Sequence, residues 1–386
     1  MGYPLLLVFL SFSLGVGITW FYRFSPFFLL VILIFLVILS FKCSYFLIFT
    51  FCILGILYSE LRFPSVDFPK AEVEGVFEVK GNLAHLSREE KFFLSKYLKD
   101  GIYKIKGCLA FVPSEKRGYL WSRGYYRMIE VESFNLVSLR EDPFLKRLKE
   151  LYPEDVASFI YGALFGDKRG MLPSIKEVVY RSGLGHLLAV SGLHVGLLAG
   201  LTLLSLKALG IHPRLGLILS SVLLTAYTYM IGFQPSALRA YILFLLMVLG
   251  KLLGLRTSSL NLVGAAGLLL EFWNPFVLWD VGFELSFAVF LSIALAIELR
   301  LSPIFLYIAP QIATFPLLAI HFNYIPLASF LSNLIAIPIF SLALPFAFLS
   351  FVPILGEFIA PLVKLMIEII FFISMLSIKL LPSLKL

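Results

Sequence analysis

The chain has 386 residues, of which 60% are hydrophobic and only 15% charged, and its mean hydropathy is +0.94. These values exclude an ordinary soluble globular protein and point to an integral membrane protein. The net charge of +8 is spread over several loops and one polar segment, and the three cysteines, Cys43, Cys52 and Cys108, exclude an intrachain disulfide framework or a cysteine-rich metal site.

Residues 1–60 read as N-terminal transmembrane helices, in three apolar segments at 4–20, 26–41 and 44–58 separated by Arg23 and Lys42. The first has no basic n-region and no clear cleavage signal, so it is expected to be a retained span rather than a signal peptide. The second and third could form one re-entrant hairpin, but three spans are favoured.

Residues 61–141 change character. Glu72, Glu74, Glu78 and Lys80 alternate with Val73, Phe77 and Val79, the period of a half-buried strand. Similar runs occur at 102–112 and 128–137, with turn signals at Gly81-Asn82, Asp100-Gly101 and Arg123-Gly124. A small soluble β-barrel or sandwich is expected. Its basic residues, among them Lys104, Lys106, Lys116, Arg117, Arg123 and Arg127, are interleaved with Trp121 and several tyrosines. Cations can hold phosphates and aromatic faces can stack bases, which makes these residues candidates for DNA contact. The competing reading is a solvated strand surface, since Glu72, Glu74, Glu89, Glu90, Glu130 and Glu132 dilute the positive field.

Residues 142–183 read as an amphipathic interfacial helix and a linker. Asp142 and Pro143 open a helix with Leu145, Leu148 and Leu151 on one face. Residues 184–386 form the main transmembrane bundle, in eight apolar segments at 184–206, 215–232, 237–250, 259–271, 283–299, 304–321, 325–345 and 357–380. The expected fold is thus a polytopic α-helical membrane protein of about eleven spans, with an extracytoplasmic β domain inserted after the first of them. Pro303, Pro310, Pro316, Pro326, Pro338 and Pro345 predict kinked or broken helices. With the N-terminus inside, Lys42, Lys207, Arg214, Lys251, Arg256 and Arg300 all fall on the cytoplasmic side, and Arg23 is the exception. The C-terminus then lies outside.

Three polar clusters stand out in the bundle. In HLLAVSGLHVG, Ser191 and His194 are three residues apart, and His186 lies about 80° round the axis from His194 if the run is one helix. All three would then line one cavity, with Gly192 giving close packing. In GFQPSALRA, Pro235 breaks the chain, Gln234 or Ser236 can cap the new helix, and Arg239 lies one turn inside it. In WNPFVLWDVGFELSF, Asp280 and Glu284 are four apart, and either could pair with Arg239. Gln311, His321, Asn323 and Asn333 add isolated polar groups. Interhelical bonding accounts for the first cluster equally well, interfacial snorkelling of Arg239 accounts for the second less well because the break and the charge coincide, and a buried ion pair or an interfacial acid is the more frequent meaning of the third. Walker, HExxH and Cys-His zinc patterns are absent, so no ATPase, cofactor or metal site is expected. Ser191 with a histidine allows an intramembrane serine hydrolase as an alternative, though neighbours on one helix have poor geometry for activation.

The ordered motifs ALFGDKRGMLP, GLGHLLAVSGLHVGLLAGL, PSALRA, GFELSF and SNLIAIP together resemble the ComEC competence channel family, over about residues 155–345. The resemblance implies a bacterial inner-membrane channel that passes single-stranded DNA into the cytoplasm during natural transformation, and an OB-like β domain that contacts DNA. It places His186, Ser191, Gly192, His194, Pro235, Ser236, Arg239, Asp280, Glu284 and Asn333 along the pathway. It also implies partners: a DNA receptor, a cytoplasmic motor and a nuclease. Many members carry a C-terminal metallo-β-lactamase-like domain whose pattern is missing here, so the nuclease is expected to be a separate protein. Glu284 stands where the family has glutamine. A membrane-anchored DNA receptor that does not conduct is a further alternative.

Overall fold

The computed structural model describes residues 4–21, 46–62, 72–86, 90–139, 142–168, 170–255, 258–381 and 384–385. The apolar segment at 26–41 lies outside them. The chain forms two compact units, one of residues 1–141 with 264–284, the other of residues 142–263 with 285–386. The stretch 264–284 therefore groups with the N-terminal segments and not with the rest of the bundle.

In the first unit, α1 (Pro4–Phe21) and α2 (Phe46–Arg62) pack against each other. They can approach so closely because glycine faces backbone on both sides. A Cβ at Gly15 would overlap the Cys52 carbonyl, and one at Gly55 would lie 2.3 Å from the Phe12 carbonyl oxygen. Such small-residue seams are how helices associate without a hydrophobic driving force in lipid.

The β segment comprises β1 (Glu72–His85), β2 (Lys91–Phe111) and β3 (Arg127–Leu139), with a one-turn helix α3 (Arg117–Ser122) before the last strand. The predicted alternation is present: Phe77 and Val79 are buried, while Glu72, Glu74 and Glu78 are exposed. Two expected turns are instead irregularities inside strands. Gly81, at φ 68°, marks a register shift within β1, and Gly101 sits at a register break within β2. A bulge bends a strand without ending it, so one long strand serves as two. The second half of β2 pairs antiparallel with β1, from Glu72↔Cys108 to Val79↔Gly101, and with β3, from Gly101↔Leu139 to Phe111↔Arg127. The first half of β2 pairs with the end of β1 at Leu83↔Phe93 and runs parallel to β3 over Phe92↔Arg127 to Leu94↔Ile129. The four strand segments curl into a half-barrel around fully buried Phe77, Val79, Leu94, Ile105 and Ile129. Each of these side chains contributes about 1.5–3 kcal/mol by leaving water.

The second unit begins with α4 (Pro143–Leu151), capped as its sequence predicts. The Asp142 carboxylate accepts from the Phe144 and Leu145 amides at 2.9 and 3.4 Å, and Leu148 is buried. Next, α5 (Glu154–Phe165) is buried over almost its whole circumference, from Val156 to Leu164. The sequence reading treats this stretch as linker. Its 12 residues are too short to span but apolar all round, the mark of a core helix. It forms the centre of a cluster with Leu187, Leu188, Phe340, Val363 and Ile370.

After α6 (Pro173–Arg181) come α7 (Gly192–Ala208), α8 (Pro213–Met230), α9 (Pro235–Leu252), α10 (Ser259–Trp273), α11 (Val281–Glu298), α12 (Pro303–Phe322), α13 (Ser329–Leu349) and α14 (Leu355–Leu380). Five of these, α9 and α11 to α14, are long and apolar enough to cross a membrane, and four apolar helices are shorter. Among the described residues, the expected count of about eleven spans is therefore corrected to between five and nine. At 1.5 Å per residue, helices of 15–17 residues reach only about 25 Å, less than the roughly 30 Å of hydrocarbon. The segment at 184–206, expected to be one span, is also broken. Prolines 310, 316, 338, 345 and 361 lie inside helices that continue through them.

Candidate functional site

The run expected as one helix from His186 to His194 is three pieces. Residues 185–188 make a 3₁₀ turn, Ala189 to Ser191 are extended, and α7 starts at Gly192 with Ser191 as its N-cap. The chain arrives there from Gly183, whose φ of 81° and whose 2.5 Å approach to the Ser329 Cβ admit only glycine. His186 is exposed and its Nδ1 lies 3.1 Å from the Gly183 carbonyl, to which it donates. It does not share a helix face with the other two.

Ser191 and His194 form a capping box. The Ser191 amide donates to His194 Nδ1 at 3.2 Å, and the Ser191 Oγ lies 3.1 Å from the same nitrogen. Because Nδ1 accepts, the imidazole proton sits on Nε2. That atom is buried without a hydrogen-bond partner among the described residues, and the ring stands edge-on to Phe340 at 5.2 Å. Gly192 faces α9 and α11: a Cβ there would be 3.2 Å from the Phe290 ring and 3.6 Å from the Ala240 Cβ.

A second break precedes α9. Phe233 has φ 51°, Gln234 is the N-cap and Pro235 is the first helical residue, as the sequence suggests. Neither candidate side chain caps the helix. Ser236 Oγ donates to the Val190 carbonyl, and Gln234 Nε2 donates to the Phe165 carbonyl at 2.5 Å. The Tyr227 hydroxyl donates to the neighbouring Leu164 carbonyl at 2.8 Å. Three chain interruptions, at the end of α5, at 189–191 and at 232–235, are thus fastened to one another by side chains bonding backbone. Arg239 lies one turn into α9 and is 3% exposed. Asn333, on α13, has a buried Oδ1 without a hydrogen-bond partner among the described residues.

In the first unit, Asp280 caps α11, accepting from the Phe283 amide at 2.9 Å. Its other oxygen faces Arg123 Nε at 3.8 Å and the Ser122 hydroxyl at 3.3 Å. This carboxylate thus meets a cation of the β segment. Glu284, one turn further on, is partly buried. Asn274 is a member of the site that sequence reasoning missed. Its Nδ2 donates to the Trp121 and Ser122 carbonyls at 2.8 and 3.0 Å, while Oδ1 accepts from the Phe276 amide at 3.0 Å. The Asn-Pro dipeptide was its signal, a turn initiator with a side chain that mimics backbone. Trp121 packs edge-on against Phe276 at 5.1 Å, and Gly118 lies so close to Trp279 that a Cβ would sit 2.7 Å from its Cβ. Helix α3 therefore docks the half-barrel onto residues 274–280.

The candidate DNA-contacting residues fall into two groups. Arg117 bonds the Val112 carbonyl at 3.0 Å, Trp121 and Arg123 serve the docking contact, and Arg123 also stacks on Tyr119 at 4.1 Å. Lys116 lies over Phe93 at 5.3 Å. Lys104, Lys106 and Arg127 are exposed strand residues. Lys104 pairs with Glu74 at 2.8 Å, which lowers the Glu74 carboxyl below its ordinary range and raises the lysine. The Tyr125 phenol, buried beside His85 at 3.0 Å, is pushed up to about 12 by its burial.

A sequence profile described as "Competence protein" matches residues 163–385. ComE operon protein 3 of Bacillus subtilis (strain 168) is 29% identical over 216 residues, covering 54% of this chain and 28% of that protein. An uncharacterized protein of Aquifex aeolicus (strain VF5) is 31% identical over 170 residues, covering 43% of this chain and 39% of that one. The matches thus span well under half the length of these relatives. No solved structure matches the chain significantly.

Proposed function

The chain belongs to the competence protein family, and from that premise we propose that it is an inner-membrane channel passing single-stranded DNA into the cytoplasm during natural transformation. A polyanion cannot cross hydrocarbon, so it needs a route lined by polar groups and irregular backbone, which membranes tolerate only inside protein or beside water. The observation that carries the reading is the knot of three chain interruptions beside buried His194 and Arg239. Broken helix ends of this kind present amide groups and dipoles to anionic cargo.

In this proposal the half-barrel is OB-like, lies outside the cytoplasm and contacts DNA, and the N-terminus is cytoplasmic. The pathway passes His186, Ser191, Gly192, His194, Pro235, Ser236, Arg239, Asp280, Glu284 and Asn333. The chain performs no catalysis and takes no cofactor. A DNA receptor, a strand-degrading nuclease and a cytoplasmic motor act as separate partners, and the motor supplies the energy. His194→Ala combined with Arg239→Ala is expected to lower transformation at least about tenfold with the chain still in the membrane, a loss of about 1.4 kcal/mol or more in the limiting step. Unchanged transformation with normal protein level overturns the reading.

The 3.1 Å contact between Ser191 Oγ and His194 Nδ1 favours a second reading, an intramembrane serine hydrolase. The same nitrogen also accepts the Ser191 amide, a duty that any catalytic base would have to give up. Labelling by a fluorophosphonate probe that Ser191→Ala abolishes would establish this activity in place of conduction.

A further inference from the structure

Where the half-barrel meets the helix ends of its own unit there is a cleft of about 230 Å³, lined by Arg62, Tyr126, Trp273, Asn274, Pro275 and Phe276. Its parts come from three places. Arg62 ends α2, Trp273 ends α10, and Tyr126 belongs to the loop before β3. The floor is rigid, because Asn274 spends its amide on the Trp121, Ser122 and Phe276 backbone and Phe276 is 1% exposed. The walls are open, with Tyr126 37% and Trp273 81% exposed. Tyr126 stands edge-on to Phe276 at 6.4 Å.

Arg62 rests over the Tyr58 ring at 5.5 Å and makes no ion pair with a carboxylate among the described residues. Tyr58 in turn is pinned by its hydroxyl to the Phe272 carbonyl. A guanidinium supported on an aromatic face, beside two exposed rings over a closed floor, suits a planar group attached to an anion. The volume is below the roughly 300 Å³ of the smallest drug-sized pockets, so it matches one ring system and not a whole nucleotide.

Resting on the DNA-uptake reading above, we propose that this cleft grips one base of incoming single-stranded DNA between Tyr126 and Trp273, with Arg62 on the adjoining phosphodiester. An exposed tryptophan and arginine at helix ends are also what an interfacial anchor uses. Tyr126 separates the two, because it is supplied by the β segment and not by a membrane helix, and it closes the cleft into a slot. The site would present the strand one base at a time where the half-barrel is docked on residues 274–280.

The test uses the full chain in phosphatidylcholine nanodiscs at low salt, with an oligo-dT probe carrying 5-iododeoxyuridine. Ultraviolet crosslinking is expected at Tyr126 or Trp273. Trp273→Ala, a largely exposed position where folding is little affected, is expected to weaken binding about 5- to 100-fold. Arg62→Gln is expected to reduce the slope of log affinity against log salt by about 0.7. Binding by the wild type that neither variant changes, with crosslinks elsewhere, overturns the cleft and leaves the DNA reading standing. No binding by the wild type overturns both. Loss of the crosslink on moving to phosphatidylglycerol nanodiscs, with overall oligo-dT binding retained, assigns the cleft to a lipid phosphate and overturns the proposal.

Discussion

Single side chains settle how the interruptions hold together. Ser236→Ala leaves the Val190 carbonyl without the donor it has in the structure, and it is expected to lower unfolding free energy by about 1 kcal/mol, measured by denaturant titration in micelles. Tyr125 makes a pH prediction. Its phenol ionises near 10 when unfolded and only at about 12 when folded. Stability from this residue is thus fully present below pH 10 and is lost between pH 10 and 12, by about 2–3 kcal/mol for a shift of this size. The difference in alkaline unfolding between wild type and Tyr125→Phe reads this out, since the phenylalanine variant lacks the titrating group. Some residue-scale features were plain in the sequence. The Asp142-Pro143 helix start and the break at Gln234-Pro235 stand where local backbone chemistry places them. Which atoms they bond was not legible: Gln234 and Phe165 are 69 residues apart, and only the folded chain brings them together.

At the scale of elements, α3 and the 274–280 turn act as one joint. Asn274→Ala would strand the Ser122 carbonyl, remove one of the two donors to the Trp121 carbonyl and release the turn, at a cost of about 1–3 kcal/mol. The expected result is faster limited proteolysis around residues 112–127 with the membrane helices still protected, while Asn274→Asp should restore little, since a carboxylate cannot donate to two carbonyls. An unchanged cleavage rate would show that aromatic packing alone holds the half-barrel. Strand alternation was legible because period 2 survives a bulge, and so Phe77 and Val79 could be assigned inward. The turns were not, because a glycine that ends a strand and one that bends it look alike in sequence. The motif around Ser191 misled for a related reason. Apolar residues on both sides of a break give the same hydropathy as a continuous span, and only Gly183 and Gly185 hinted at the interruption.

For the molecule as a whole, composition was enough to identify a multi-pass membrane protein, and the ordered motifs were enough to place its family. Span number was not, since a 12-residue buried helix and a 20-residue span are equally apolar and differ only in length and neighbours. The grouping of 264–284 with the N-terminal segments could not be read from the chain order either. That grouping has a consequence for biosynthesis. Residues 264 and 267 are glycines on α10 pressed against Leu6 and Phe9, where a Cβ would come within 2.5 and 2.3 Å, and Ser13 meets Glu271 across 258 positions of sequence. At a synthesis rate of about 5–20 residues per second, the α1–α2 pair would be made roughly 10–40 s before its third helix. Throughout that interval the face of the α1–α2 pair that α10 later covers is open to lipid or to the insertion machinery. If the translocon or a membrane chaperone covers that face, a ribosome stalled near residue 250 leaves α1 and α2 crosslinked to it.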